Sequence, residues 1–220
     1  MFNQKKWFVI MVFGNSLQIV GDGETAIQSI ALPSSIVNNM EVINKDALYT
    51  LITDWLKQRT YASAEVVWIL PSEICFEHLL RSTETNEMDS ETIKFLDTVP
   101  FEEILHRIYL TQSGRQIVAV NKSLVMSLIQ AFSLHGYITQ AVVPARLAQA
   151  ESSLTVEIAH HCLKHLVELE KESIVASLSG THSSDVSLAS PVKSKSSLPL
   201  LLAVFGALFA ILLYVIYLNQ

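Results

Sequence analysis

The chain has 220 residues, which is enough for one sizeable domain and an additional segment. Half of the residues are hydrophobic, and the mean hydropathy of +0.36 is high for a soluble protein, which points to an unusually apolar segment. The formal net charge of −6, without any cluster of Lys and Arg, argues against nucleic acid as a partner.

The N-terminal part predicts three consecutive strands. Residues 7–13 form an almost continuous apolar run, which is typical of a central strand covered on both faces. Residues 16–20 and 25–32 are predicted to be the next two strands, joined by a hairpin turn at the Gly-Asp-Gly sequence. Pro33 would end the third strand, because proline cannot donate a backbone hydrogen bond to a sheet.

The next segment predicts a helix, two strands and a further helix. Residues 45–58 carry apolar side chains at i, i+3, i+4, i+7 and i+8, which is one face of an amphipathic helix. Asn44 is placed to cap that helix. Residues 64–70 and 74–82 are predicted to be strands, and a helix is predicted near 89–97.

Pro100 suits the first turn of a helix, so a short helix with three apolar side chains is predicted there. These side chains are Phe101, Ile104 and Leu105. Two apolar segments then flank Ser113-Gly114, which predicts a hairpin of two strands.

A second clear helix is predicted from Asn121, its cap, to Gly136, which suits the residue after a helix end. Residues 137–143 are predicted to be a strand, and residues 152–172 a third helix with one apolar face. This succession of strands and helices predicts a mixed α/β domain over the first 150 or so residues.

Residues 198–218 form an uncharged apolar segment that predicts a transmembrane helix in a lipid bilayer. About 20 residues of helix cross the roughly 30 Å hydrocarbon core, where only a helix or a closed barrel satisfies its backbone. The Ser-rich residues 180–197 are predicted to be a flexible tether. Lys193 and Lys195 lie just before the span, so the positive-inside rule places the N-terminal domain in the cytoplasm.

The predicted span carries two pairs of small residues four positions apart. Ala203 pairs with Ala207, and Gly206 pairs with Ala210. Small residues at this spacing let helices approach closely in lipid, which favours a homodimer or packing against another single-span protein. The alternative is that such pairs arise by chance in a span that contains alanine.

Two histidine patterns have the spacing of metal ligands. Glu103 with His106, and Glu157 with His160, follow a Glu-x-x-His pattern that forms half of a di-iron site on helices. The sequence HHCLKH at 160–165 places two histidines one helical turn apart. A di-iron site needs a four-helix bundle, and no second ligand cluster accompanies 160–165. We therefore expect solvated helix surfaces and no metal.

The sequence carries no motif of a hydrolase nucleophile or of a common nucleotide site. It lacks G-x-S-x-G, G-x-x-x-x-G-K-[ST] and G-x-G-x-x-G. Cys75 and Cys162 lie far apart and are expected to be buried thiols in a reducing compartment. We expect neither an enzymatic activity nor a cofactor.

Four stretches resemble one family of proteins. They are VIMVFGNSLQIV, LPSSIVNNMEVINKDALYTLITDWL, AEVVWILPSEICFEHLL, and VPFEEILHRIY continued by GRQIVAVNKSLVMSLIQAFSLHGYITQAVVPARLA. In order and spacing they are similar to the N-terminal part of the PilM-like and GspL-like actin-like proteins of type IV pilus assembly and type II secretion. The resemblance implies a partial actin-like (ribonuclease H-like) mixed sheet with flanking helices, acting as a scaffold at the cytoplasmic face of the inner membrane.

The resemblance also implies a role for the first turn, which binds phosphate in nucleotide-binding members. There it reads approximately Asp-x-Gly-x-x-x-x-Lys, and the Asp helps to place the metal. Here Val12 stands at the Asp position, Gly14 keeps the turn, and Gln18 falls near the Lys position. Both charges are missing, and a second phosphate loop from a C-terminal half is not expected. A degenerate turn without nucleotide is therefore expected.

These observations predict four segments. They are an actin-like α/β domain (1–150), an amphipathic helix and extension (151–179), the tether (180–197) and the transmembrane helix (198–218). The expected function is that of a non-enzymatic scaffold of a type IV pilus or type II secretion platform in the bacterial inner membrane. Its expected partners are platform subunits and the cytoplasmic motor ATPase. Two alternatives stay open: an actin-like nucleotide-dependent switch, and a tail-anchored adaptor unrelated to secretion.

Overall fold

The structure is a computed structural model that describes residues 6–58, 63–81, 90–150 and 152–176. The strands in these ranges are β1 (Trp7–Val12), β2 (Ser16–Gly21), β3 (Gln28–Ala31), β4 (Val37–Asn38), β5 (Glu41–Val42), β6 (Ala64–Leu70), β7 (Phe76–Leu80), β8 (Ile104–Thr111), β9 (Gly114–Asn121) and β10 (Tyr137–Pro144). The helices are α1 (Lys45–Lys57), α2 (Ser90–Leu96), α3 (Lys122–Ser133), α4 (Val156–Lys164) and α5 (Leu166–Lys171), with a short 3₁₀ turn at Ser72–Ile74.

Five strands form the central sheet, in the order β10-β6-β1-β2-β3. β1 pairs antiparallel with β2 and parallel with β6, and β10 pairs parallel with β6 at one edge. β2 pairs antiparallel with β3 at the other edge. The predicted mixed α/β class and the predicted central position of the first strand are confirmed.

Alternate residues of β1 point into two separate cores. Phe8 and Ile10 pack with the apolar faces of α1 and α3, whereas Val9 and Met11 pack with α4 and α5. Residues 8–12 are all at most 1% exposed. Because helices cover both faces of the sheet, this strand is marked by a continuous apolar run instead of an alternation.

A second, antiparallel sheet has the order β7-β9-β8. Its register places Tyr109 opposite Gln116, and Gln116 opposite Leu79. Arg107 and Glu77 lie two positions away on the same strands, so all five side chains belong to one face of this sheet. That face combines an aromatic ring with cationic, amide and carboxylate groups.

Two asparagines begin the longest of the described helices, as predicted. The Asn44 side chain accepts a hydrogen bond from the Ala47 N–H at 3.0 Å, and Asn121 accepts one from the Leu124 N–H at 3.2 Å. Each cap satisfies one of the backbone N–H groups that a helix start leaves unpaired. Gly136 follows α3 with a φ of 81°, a left-handed conformation that suits glycine after a helix end.

The short helix predicted after Pro100 is wrong. Ile104 and Leu105 begin β8 and pair with the end of β9. Phe101 lies in the preceding irregular segment and packs edge to face on Phe76, with ring centroids 5.5 Å apart. Pairing along the whole β8–β9 hairpin outweighs the local preference of a proline for the start of a helix.

The single helix predicted over 152–172 is two helices, α4 and α5. The Thr155 hydroxyl caps α4 by accepting a hydrogen bond from the Ile158 N–H at 3.2 Å. His165 separates the helices, since its φ of −109° and ψ of 23° leave the helical region.

Residues that follow α5 form hydrogen bonds with the outer edge of β10. The Val142 N–H donates to the Ser173 hydroxyl, and the Ile174 N–H donates to the Val142 carbonyl, both at 2.9 Å. Ser173 and Ile174 are almost completely buried. The chain therefore contributes to one layered structure as far as residue 174.

Among the residues that the structure describes, no helix has the length and apolar character needed to cross a membrane. The predicted span (198–218) and tether (180–197), with Lys193 and Lys195, lie outside those residues. So do the predicted helix-packing residues Ala203, Gly206, Ala207 and Ala210.

Candidate functional site

Three parallel strands, β1, β6 and β10, end at the same edge of the central sheet. In open α/β sheets, ligands bind in the crevice outside the carboxyl ends of such strands. The loops at this edge are residues 13–15 after β1, residues 71–75 after β6 and residues 145–149 after β10. The candidate site is therefore built from these loops and from side chains of the second sheet that reach them.

The first of these loops contains the predicted degenerate phosphate turn. Val12 is 1% exposed and packs in the core on the α1 and α3 side. The Gly14 N–H donates to the Glu73 carboxylate at 3.1 Å. A carboxylate thus occupies the backbone donor that a phosphate would need, and its negative charge opposes an anion at this turn.

Gln18 has a structural contact. Its side-chain oxygen accepts a hydrogen bond from the Leu154 N–H at 2.8 Å. Leu154 is completely buried and precedes α4. Gln18 therefore ties β2 to the segment that leads into the helices on the second face of the sheet.

Gly14→Ala is expected to leave the free energy of unfolding within about 0.5 kcal/mol of the wild type. A Cβ at Gly14 would meet no atom within 4 Å, and the backbone there is not left-handed. Gly21→Ala is the matched control, because its Cβ would lie 2.9 Å from Phe8 Cε1. Overpacking should cost that control about 1–3 kcal/mol in urea unfolding. Equal losses in the two variants would contradict the expectation.

A cluster of polar side chains joins the loop after β10 to the second sheet. Arg146 Nη1 donates to the Gln116 side-chain oxygen, and the Gln116 amide nitrogen donates to Glu77 at 2.6 Å. The Arg146 guanidinium lies over the Tyr109 ring, 5.0 Å from its centroid. The guanidinium of Arg107 lies 5.7 Å from the same centroid. Two cations therefore share one aromatic ring.

The same cluster is tied to the end of α5. Arg107 donates to the Ser173 carbonyl at 2.9 Å and to the Glu172 carboxylate at 3.3 Å. The Tyr109 hydroxyl donates to the Glu172 carbonyl at 3.1 Å. Burial, more than any charge nearby, raises the pKa of the Tyr109 hydroxyl above its usual range. Tyr109 therefore acts at neutral pH as a hydrogen-bond donor and not as a base.

The two cysteines lie in different surroundings. Cys75 borders the polar cluster, and burial together with the Glu77 carboxylate raises the pKa of its thiol to about 12, against a lowering by Arg146. Cys162 is a completely buried residue of α4, and burial raises the pKa of its thiol to about 11. Both groups are thiols at neutral pH, which makes them poor nucleophiles.

Both thiols are expected to react with a maleimide at pH 8 at least about 100-fold more slowly in the folded than in the unfolded chain. Because folding raises both pKa values, the unfolded chain loses these protons first, and stability should fall as the pH rises above about 8.5. Stopped-flow labelling of Cys75→Ala and Cys162→Ala assigns each rate to one thiol. Rapid labelling of either native thiol would contradict the expectation.

The Glu-x-x-His pairs do not form a common site. Glu103 forms an ion pair with Lys122 at 3.2 Å, and His106 lies within β8 instead of on a helix. Glu157 lies at the start of α4, where hydrogen bonds from its own backbone N–H and from Thr155 lower the pKa of its carboxyl group. His160 packs edge to face on the ring of Trp7.

Two histidines of the HHCLKH sequence, His161 and His165, line an open cavity of about 240 Å³. This cavity lies between residues 145–149 and the helices α4 and α5. The rings of His161 and His165 lie 4.5 Å apart. Glu168 and Glu172 line the same cavity. In the described part of the chain, however, no group of three or more His, Cys, Asp or Glu side chains has an arrangement that could hold a metal ion.

Sequence reasoning assigned no role to Glu73, Arg146 or Tyr109, because their contacts join segments far apart in the chain. One signal was available for Arg146. It follows a buried strand that ends in proline, and a cation at the carboxyl end of such a strand is placed where α/β folds bind ligands.

No protein-family model and no curated protein matches the chain. Among solved structures, the PilM-PilN type IV pilus biogenesis complex is 17% identical over 64% of this chain and 48% of its own chain, with a TM-score of 0.47. The cytoplasmic domain of EpsL, an inner membrane component of the type II secretion system of Vibrio cholerae, is 12% identical over 66% of this chain and 57% of its own, with a TM-score of 0.40.

A third similar structure is a Bacteroides thetaiotaomicron protein with an actin-like ATPase fold and unknown function. It is 11% identical over 64% of this chain and 55% of its own, with a TM-score of 0.34. This chain thus spans about half the length of the solved structures that it matches. The first two are components of the two kinds of machine that the sequence resemblance names.

Proposed function

We propose that the protein is a non-enzymatic scaffold of a type IV pilus or type II secretion platform, linking cytoplasmic motor and membrane subunits. The proposal starts from the sequence resemblance over the first 150 or so residues. The non-enzymatic part of the proposal rests on the hydrogen bond from the Gly14 N–H to the Glu73 carboxylate. A turn whose donor is already paired with an anion is poorly suited to hold a triphosphate.

Two further contacts support a structural use of the turn. Val12 fills the core at the position where nucleotide-binding members carry a metal carboxylate. Gln18 holds the Leu154 N–H where those members carry a lysine. At each of the three positions that nucleotide-binding members use for the ligand, the residue of this chain therefore makes a contact within the folded domain.

The proposed location is the cytoplasmic face of the bacterial inner membrane. It rests on the sequence pattern alone: the apolar segment 198–218 and the lysines that precede it. An anchor in the same chain would raise the effective concentration of the domain near its membrane partners without any new contact.

Crosslinking of the full-length protein in native membranes tests the scaffold role. A photo-crosslinking residue is placed at Leu110, Ile138 or Val167, apolar side chains that are 87%, 61% and 60% exposed. Lys57, on the exposed end of α1, is the matched polar control. Capture of platform subunits or the motor ATPase from one apolar position supports the proposal and names the surface. Capture of only unrelated membrane proteins would favour the tail-anchored adaptor.

ATP with Mg²⁺ is expected to leave the thermal midpoint of the full-length protein unchanged. A ligand at 100 times its Kd stabilises by about 2.7 kcal/mol, which would raise the midpoint by roughly 5 °C or more. Glu73→Ala is measured in parallel, because it frees the Gly14 N–H. A rise in the wild type would favour the nucleotide-dependent switch. A rise in Glu73→Ala alone would identify the carboxylate as the group that excludes nucleotide.

A further inference from the structure

Arg146 has two donors without acceptors. Its Nε and Nη2 atoms are buried and have no hydrogen-bond partner, although Nη1 is paired with Gln116. No carboxylate of the described residues lies within ion-pair distance of this guanidinium, and Glu77 reaches it only through the Gln116 amide. Buried donors of this kind are rare in folded proteins, because the desolvation of a charged group is then uncompensated.

The two unpaired atoms lie on the same edge of the planar guanidinium. Nε–H and the adjacent N–H of Nη2 point in parallel and form a fork with fixed spacing. Two oxygens of one carboxylate or phosphate group fit such a fork in a bidentate way. The unpaired donors therefore match one ligand with two oxygens better than they match two separate acceptors.

The local charge also favours an anion. Arg107 and Arg146 lie over the same Tyr109 ring, at 5.7 and 5.0 Å from its centroid. Glu172 pairs with Arg107, so it neutralises only one of the two cations. The positive charge that is not neutralised by direct contact lies on Arg146.

The open cavity of about 240 Å³ borders this cluster, although Arg146 itself does not line it. Leu147, the next residue in the chain, lines that cavity, and so does Glu172, which is tied to Arg107 and Tyr109.

We infer that the Nε–Nη2 edge of Arg146 is a binding site for an oxyanion, a carboxylate or a phosphate group. The guanidinium packs on the Tyr109 ring, and the hydrogen bond from Nη1 to Gln116 fixes its orientation. The inference does not depend on the proposed scaffold function, because it rests on the unpaired donors alone.

Titration of the full-length protein in detergent tests the site. Sodium phosphate and sodium acetate are added in separate arms against sodium chloride at constant ionic strength. The Nε–H resonance of Arg146, assigned from its loss in Arg146→Lys, is followed by NMR. A saturable shift with phosphate alone identifies a phosphate ligand, and one with acetate as well identifies a carboxylate. No saturable shift with either anion, as for a fork satisfied by water, overturns the inference.

An exchange of two side chains keeps the test independent of Arg146 itself. Glu77→Gln combined with Gln116→Glu reverses the amide and the carboxylate of this hydrogen-bonded pair and places a carboxylate directly on Arg146. Its anion affinity should fall at least about 10-fold, because Arg146 then has an internal counter-ion. Arg115→Lys is the matched control and should keep the affinity, since Arg115 is adjacent to Gln116 on β9 and its side chain therefore belongs to the other face of the sheet. Unchanged affinity in the exchanged variant would place any binding elsewhere and refute the site.

Discussion

Val12→Asp should destabilise the domain by about 4 kcal/mol at pH 7, instead of restoring a metal ligand. The side chain at position 12 is 1% exposed and lies at the end of the central strand, so a carboxylate there would lose its hydration. Burial would raise its pKa well above the unfolded value of about 3.9. The unfolded chain then releases its proton first, and the destabilisation grows as the pH rises from 4 to 7.

Urea unfolding at pH 4.5 and pH 7 measures this effect. Val12→Asn has the same shape without the charge, so it should lose stability to a similar extent at both pH values. A stable Val12→Asp variant that gains affinity for Mg²⁺ and ATP would show that the turn has kept its ligand geometry. That result would favour the nucleotide-dependent switch.

Trp68→Ala should reduce the free energy of unfolding by about 4 kcal/mol. Trp68 is 1% exposed, and its ring packs edge to face on Phe132 with centroids 5.2 Å apart. Its indole N–H donates to the Thr139 hydroxyl at 3.0 Å, which joins β6 to β10. The substitution would remove the largest side chain of the core and leave a cavity between the sheet and α3.

Trp68→Phe is the control for the packing contribution. It keeps an aromatic ring against Phe132 but removes the indole donor, so its loss should be clearly smaller than that of the alanine variant. The unfolding is followed by far-UV circular dichroism and not by fluorescence, because both substitutions remove a tryptophan that contributes to the fluorescence signal. A loss below about 1 kcal/mol in Trp68→Ala would mean that this side chain is not packed as described.

The parts of the fold that the sequence predicts well are those set by neighbouring residues. Asn44 and Asn121 act within three positions of themselves, so a cap followed by an apolar stripe is enough to locate α1 and α3. The continuous apolar run of β1 likewise follows from burial on both faces. In these segments local preference and tertiary packing agree.

The errors occur where distant pairing decides the structure. Pro100 suits a helix start, but Ile104 pairs with β9 and is therefore part of a strand. The apolar spacing over 152–172 fits one helix, and nothing local to His165 predicts the break there.

The candidate site is less predictable than the fold for the same reason. The resemblance drew attention to the turn at Gly14, but its partner, Glu73, lies 59 positions away. Arg107 and Ser173 are separated by 66 positions, and Arg146 and Gln116 by 30. Contacts between residues so far apart leave no pattern in a short stretch of sequence. Unpaired donors like those of Arg146 can therefore be recognised only in the three-dimensional structure.

The closure of β10 by Ser173 and Ile174 has a consequence for biosynthesis. The central strand leaves the ribosome long before the helices that cover its second face, because those helices come from residues 156–171. A nascent chain that has been made only to residue 150 would expose Val9, Met11 and their neighbours as a bare apolar layer. Such an intermediate should aggregate unless a chaperone binds it, and it should be rescued as soon as the last helix is released.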